Sequence, residues 1–159
     1  MASTVDKVRE LAADQPILEP GETIVAAAKA MPLGGVKAWA TRTGTMWVGG
    51  AVGALVMANQ ADTADGSLED AMKMGVYTVA TDRRLLLVKA GGMRGLPVAA
   101  LASIERTRIT AVEEGTTRVS LVKMVTMTVR CDDDTELGFE YPKPETNDAR
   151  AVLAALGAN

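Results

Sequence analysis

The chain has 159 residues, 48% of them hydrophobic and 23% charged, a balance that suits one folded domain with a sizeable core and does not suit a disordered chain. The net charge is −3, divided as −4 over residues 1–70 and +1 over 71–159, so a general polyanion-binding surface is excluded and no nucleic-acid partner is expected. One cysteine, Cys131, excludes an intrachain disulfide, and the absence of histidine removes His general bases, Ser-His-Asp triads and almost every Cys/His zinc site.

Residues 3–14 read as a short amphipathic helix. Ser3 is placed to cap it with Asp6 at the third helical position, and Val5, Val8, Leu11 and Ala12 share one face. This polar start is unlike a secretory leader, so a reducing, cytoplasmic setting is expected. Pro16 and Pro20-Gly21 break the helix, making residues 1–21 an N-terminal helix and linker ahead of a single domain over 22–157. Glu22 to Met31 is a first strand, weakened by the run Ala26-Ala27-Ala28.

Residues 32–74 form a Gly-rich apolar insertion. Met46 to Ala58 is unbroken in apolar and glycine residues, and Gly49 and Gly53 stand four apart, as on a helix that admits close backbone approach. The thirteen-residue run, bracketed by Arg42 and Asn59, falls short of the ~20 residues that span a bilayer. A core segment packed within the protomer or an oligomer is the plain reading. Self-association or a protein contact through 44–58, with Trp47, Gly49, Gly53, Leu55 and Met57 as the interaction residues, is the functional one. Trp39 and Trp47 would equally suit a lipid interface. Ser67 to Gly75 reads as a short capped helix.

Strand signals then follow at 76–81, 84–90, 96–101, 104–110 and 118–123. The next pair is the clearest. Val125, Met127 and Val129 alternate with polar residues, as do Leu137, Phe139 and Tyr141, around the loop Asp132-Asp133-Asp134. Sharing one apolar face requires Val129 opposite Leu137, Met127 opposite Phe139, Val125 opposite Tyr141 and Arg130 opposite Glu136. After Pro142 and Pro144, Thr146 or Asn147 is expected to cap a last helix whose Ala149, Val152, Leu153 and Leu156 form a buried stripe and which Gly157 stops.

The stretch Tyr77-Thr78-Val79-Ala80-Thr81-Asp82-Arg83-Arg84-Leu85-Leu86-Leu87, the turn Gly91 to Gly95, Leu96-Pro97-Val98 and the closing helix together resemble the bacterial pleckstrin-homology-like domains. The resemblance covers about residues 76–156 and departs from the family at the insertion. It implies an α+β fold: an antiparallel barrel or sandwich of about seven strands capped by a C-terminal amphipathic helix, here with an N-terminal helix and a helical insertion added. It carries no catalytic signature, no cofactor and no fixed ligand.

Arg83, Arg84 and Arg94 are the candidates for an anionic headgroup or phosphate, since guanidinium groups offer a fork of donors. The plainer reading of the corner is a solvated turn in which Asp82 pairs with a neighbouring arginine. Asp132-Asp133-Asp134 with Glu136 fails the calcium-loop pattern, because Leu137 and Lys143 stand where Gly and Glu are needed. Gly91 to Gly95 lacks the ending of a phosphate loop, and Cys131 lacks a histidine partner. The sequence therefore points to a non-enzymatic binding or assembly module, a homo-oligomer or a partner of another protein. Peripheral attachment to an anionic membrane through Trp47 and the Arg83/Arg84 corner is the alternative. A metal-dependent enzyme using Asp132, Asp134 and Glu136 is the reading the residues favour least.

Overall fold

The computed structural model describes residues 2–32, 55–57, 75–119, 121–132, 134 and 136–157. Helix α1 (Thr4–Asp14) is followed by β1 (Ile24–Pro32), β2 (Leu55–Met57), β3 (Val76–Thr81), β4 (Arg84–Gly91), β5 (Leu96–Glu105), β6 (Ile109–Val119), β7 (Val122–Cys131), β8 (Glu136–Tyr141) and α2 (Thr146–Ala155). The strands are antiparallel neighbours in the order β2-β5-β4-β3-β1-β8-β7-β6. The elements expected from the pleckstrin-homology-like resemblance are present: an antiparallel meander closed off by one C-terminal helix. The sheet is open, with β2 and β6 at its two edges among the described residues.

β1 joins the two halves of the sheet. Residues Ile24 to Ala30 run along β3, and Met31 and Pro32 run along β8. Its alanines are poor strand formers, yet Ala26, Ala27, Ala28 and Ala30 are all buried, and pairing and packing override the propensity. Small side chains also let α2 lie close over this strand.

Two apolar layers explain why β3 and β4 do not alternate with polar residues. Val76, Ala80, Leu85 and Leu87 face the main core with Met127, Val129, Leu137, Phe139, Tyr141 and the α2 residues Ala149, Val152 and Leu153. Tyr77, Val79, Leu86 and Val88 point the other way, into a second core sealed by Val8, Leu11 and Ile17. α1 is thus the lid on the back of the sheet. It starts with Ser3 and Asp6 in a reciprocal capping box, as the sequence predicts.

The β7–β8 hairpin has the predicted register throughout, from Arg130 opposite Glu136 to Val125 opposite Tyr141. Asp134 in its loop adopts φ 66°, which Asp tolerates better than most residues. Gly157, at φ 88°, ends the last helix.

Several expectations need correction. Residues 96–105 are one strand, and the segment expected as a strand at 104–110 divides between its end, a 3₁₀ turn at Arg106–Arg108 and the start of β6. The segment expected as one strand at 118–123 divides between the end of β6 at Val119 and the start of β7 at Val122, with Leu121 in a turn. The helix α2 has Glu145 as its N-cap with no side-chain cap bond, because the 3₁₀ turn Lys143–Glu145 runs straight into it. Leu55 to Met57, expected within a helical insertion, are strand, paired as Leu55–Ile104, Val56–Ser103 and Met57–Ala102. The free side of β5 supplies main-chain partners that an extended segment satisfies and a helix cannot. The helices expected over 44–54 and 67–74 lie outside the described residues, as do Trp47, Gly49 and Gly53.

Candidate interaction surface

The Thr81-Asp82-Arg83-Arg84 corner turns β3 into β4, and antiparallel pairing lays the start of β1 against it. This brings the linker residues Ile17 to Thr23 onto the corner. The Glu22 carboxylate, fully buried, accepts from Arg84 Nε at 2.8 Å and Arg84 Nη2 at 2.9 Å. It also accepts from the Thr81 hydroxyl at 2.7 Å and the Glu19 backbone N–H at 2.7 Å. Arg84 donates further to the Ile17 carbonyl at 3.0 Å and to Ser103 Oγ at 3.3 Å. Thr81 Oγ1 in turn accepts from the backbone N–H groups of Arg83 and Arg84 at 3.1 and 3.0 Å.

Burial alone would raise the Glu22 pKa. The hydrogen bonds from Arg84, the Glu19 N–H and Thr81, with the charge of Arg84, outweigh it and hold this carboxyl at about 2. The hydrogen bond to Glu22 correspondingly pushes the Arg84 pKa up. Among the described residues Asp82 forms no ion pair with an arginine. Its Oδ1 accepts from the Thr23 N–H at 2.9 Å, and its own N–H donates to the Thr23 carbonyl at 3.0 Å. Arg83 is half-exposed and meets Glu19 at 3.3 Å. The corner is a polar clasp joining the linker, β3, β4 and β5.

Arg94 stands elsewhere. It lies on the β4–β5 turn, at the far end of β4, so roughly 23 Å of strand at 3.3 Å per residue separates it from Arg84. The three arginines do not converge on one site. The turn is shaped by Gly92 (φ 71°) and Gly95 (φ 59°), and the Tyr77 hydroxyl holds its base by donating to the Gly95 carbonyl at 2.6 Å. Lys29 lies 5.9 Å from the centre of the Tyr77 ring. At the tip Met93 is fully exposed, and Leu96 and Val98 are exposed beyond it.

The acidic loop is also engaged: Asp132 accepts from Arg108 at 3.1 Å. Among the described residues no group of three His, Cys, Asp or Glu stands close enough to hold a metal ion, and no helix is long and apolar enough to cross a membrane. Of the interaction candidates, Leu55 and Met57 lie in the outermost strand, β2.

The other edge had no counterpart among the sequence-derived candidates. β6 spans eleven residues and, among the described residues, is paired on one side only, by β7. An open hollow of about 460 Å³ lies at its start, lined by Thr110, Ala111, Val112, Glu113, Glu114 and Gly157. At its other end Leu121 is 93% exposed and Val122 51%. Two acidic residues in the middle of β6 are braced laterally: Glu113 meets Arg130 at 3.3 Å and Glu114 meets Arg150 of α2 at 3.1 Å. The sequence signal for an edge was present in the Gly115-Thr116-Thr117 centre and the charged Glu113, Glu114 and Arg118, which a strand buried on both sides would not carry.

No family model matches this sequence, and no curated protein does. Among solved structures, the crystal structure of a pleckstrin homology domain from Shewanella amazonensis SB2B is similar, with 16% identity and a TM-score of 0.49, over 96% of this chain and 100% of that one.

Proposed function

We propose that this chain is a non-enzymatic binding and assembly module that self-associates or docks a protein partner. The observation that carries the reading is the open sheet, which among the described residues leaves main-chain donors and acceptors along β6 without a second strand and has the end of the apolar run, Leu55 to Met57, on the opposite edge. Exposed strand edges are templates for pairing with another chain. The assembly contact of the 44–58 run would draw on Trp47, Gly49, Gly53, Leu55 and Met57. The polar clusters support the same reading, because Glu22, Arg84, Thr81 and Asp82 spend their hydrogen bonds on joining elements of the scaffold. Sedimentation velocity across a wide concentration range tests it, on the intact protein and on a variant lacking residues 44–58. Trp47→Asp serves as the second variant in case the deletion does not fold. Concentration-dependent association of the intact protein is expected; a folded monomer throughout overturns the reading.

A second reading, peripheral attachment to an anionic membrane from a cytoplasmic location, has its own observation. Met93 is fully exposed at a hairpin tip beside Arg94, an apolar side chain with a cation at its neck. Co-sedimentation with phosphatidylserine vesicles, compared for the intact protein, Met93→Asp and Arg94→Glu, decides it. Equal retention of all three would exclude this tip as the contact.

A further inference from the structure

We infer that the β6 edge pairs with β6 of a second copy of this chain, antiparallel about a two-fold axis at Thr116, forming one continuous sheet across two protomers. The inference rests on the assembly reading and names its partner and register.

Three features of the strand lead there. Two residues separate Val119 from Val122, which face each other across the β6–β7 hairpin. In so short a connection the flanking pair exchanges both main-chain bonds, and bonded and non-bonded pairs then alternate. Counting back, Glu114, Thr116 and Arg118 turn their N–H and C=O groups away from β7, toward the open side.

The second feature is charge. Pairing about Thr116 sets Glu114 opposite Arg118 of the second copy, and the reverse contact repeats it, so two opposite-charge pairs flank a Thr–Thr pair. Centring the axis on Glu114 instead would oppose two glutamates. All three side chains of the Thr116-centred register are exposed, and Glu114, which already meets Arg150 of α2 at 3.1 Å, would share its carboxylate with Arg118 of the second copy.

The third feature is shape. The same register carries the hairpin tip just beyond Val119, where Leu121 is 93% exposed, toward the start of β6 in the second copy. Ala111 lines the 460 Å³ hollow beside Gly157. Knob and hollow lie at opposite ends of one strand, as a self-complementary two-fold contact requires.

Charge reversal with exchange tests the register. Arg118→Glu alone and Glu114→Lys alone each set two like-charge pairs across the axis, and each is expected to weaken self-association by roughly tenfold or more. An equimolar mixture of the two variants restores both pairs in a heterodimer, as does the double variant in a homodimer. Recovery in the mixture supports the inference. Association of the intact protein that neither reversal alters overturns this edge and leaves assembly through another surface standing. A monomeric intact protein overturns both. Thr116→Pro gives an independent check. Its lost N–H points to the open side, so the β6–β7 ladder survives while pairing is blocked; an associating Thr116→Pro protein with an unchanged melting temperature would contradict the proposed edge.

Discussion

Arg84→Met removes the partner of the buried Glu22 carboxylate while keeping most of the side chain's volume. Glu22 then faces the Glu19 N–H and the Thr81 hydroxyl with no cation. Removing one member of a buried pair costs about 3–5 kcal/mol. The pKa gives a second route to the size. The Glu22 carboxyl is lowered from 4.5 to about 2, which corresponds to roughly 3 kcal/mol of stability. The folded-state pKa is the depressed one, so this stability is present above pH 4.5 and is lost as pH falls through 4.5 toward 2. Acidification from neutral pH to pH 3 should remove ~2 kcal/mol of it. In Arg84→Met burial dominates, the carboxyl takes up its proton more readily, and this contribution to the acid slope vanishes. Urea unfolding at pH 7 and pH 3, read by circular dichroism, measures all of this. If Arg84→Met unfolds at pH 7 within about 0.5 kcal/mol of the parent, the clasp is not buried in solution and the assignment of the corner as a scaffold element fails.

Thr78→Val tests the polar contact inside the main core. The Thr78 hydroxyl shares a 2.8 Å hydrogen bond with the Tyr141 hydroxyl and also lies 3.2 Å from the Ala28 carbonyl oxygen; losing it should cost about 1–3 kcal/mol in urea unfolding. Burial pushes the Tyr141 phenol far above the usual tyrosine range, against the smaller opposing effect of the Thr78 bond, so spectrophotometric titration of the folded protein should show one of its two tyrosines ionising only as the chain unfolds. Phe139→Ala empties the position of the chain's one phenylalanine, fully buried between β7 and α2; a loss of about 3–5 kcal/mol is expected, and one below 1 would mean that the core closes over the gap. Ser3→Ala removes half of the capping box and should cost about 1 kcal/mol, seen as a lower melting temperature without change in the midpoint's cooperativity.

What could be read in the sequence was whatever a period or a chemical clash enforced. The β7–β8 register was legible because a one-residue slip would set Arg130 against Leu137 and expose Met127 and Phe139. The stripe Ala149, Val152, Leu153 was legible for the same reason on a helix. The β6–β7 turn was not. It carries none of the glycine or asparagine of a tight turn, and the apolar Val119, Leu121 and Val122 read as strand interior. The α2 cap was missed because Glu145 serves a distant element: its carboxylate accepts the Lys29 backbone N–H at 3.3 Å. The partner of Arg84 was missed for a similar reason. Glu22 lies 62 residues away in sequence, and only the β1–β3 register brings it to the corner.

That register decides what the arginine corner is able to recognise. An anion arriving at Arg84 would have to take the place of Glu22, which already satisfies the guanidinium through both carboxylate oxygens, and would leave a buried carboxylate without its cation. A lipid phosphate therefore gains one charge contact and breaks another that is better desolvated. Arg83, half-exposed and salt-bridged to Glu19, offers only the weak attraction of a surface pair. Side-chain chemistry at the corner is thus spent inside the scaffold. The main chain at the sheet's edge is under no such constraint, since its donors point outward from β6 and a second strand meets them without displacing any protein partner among the described residues. Recognition by edge is indifferent to most side chains, and the few that oppose one another, Glu114 and Arg118, are left to choose the register.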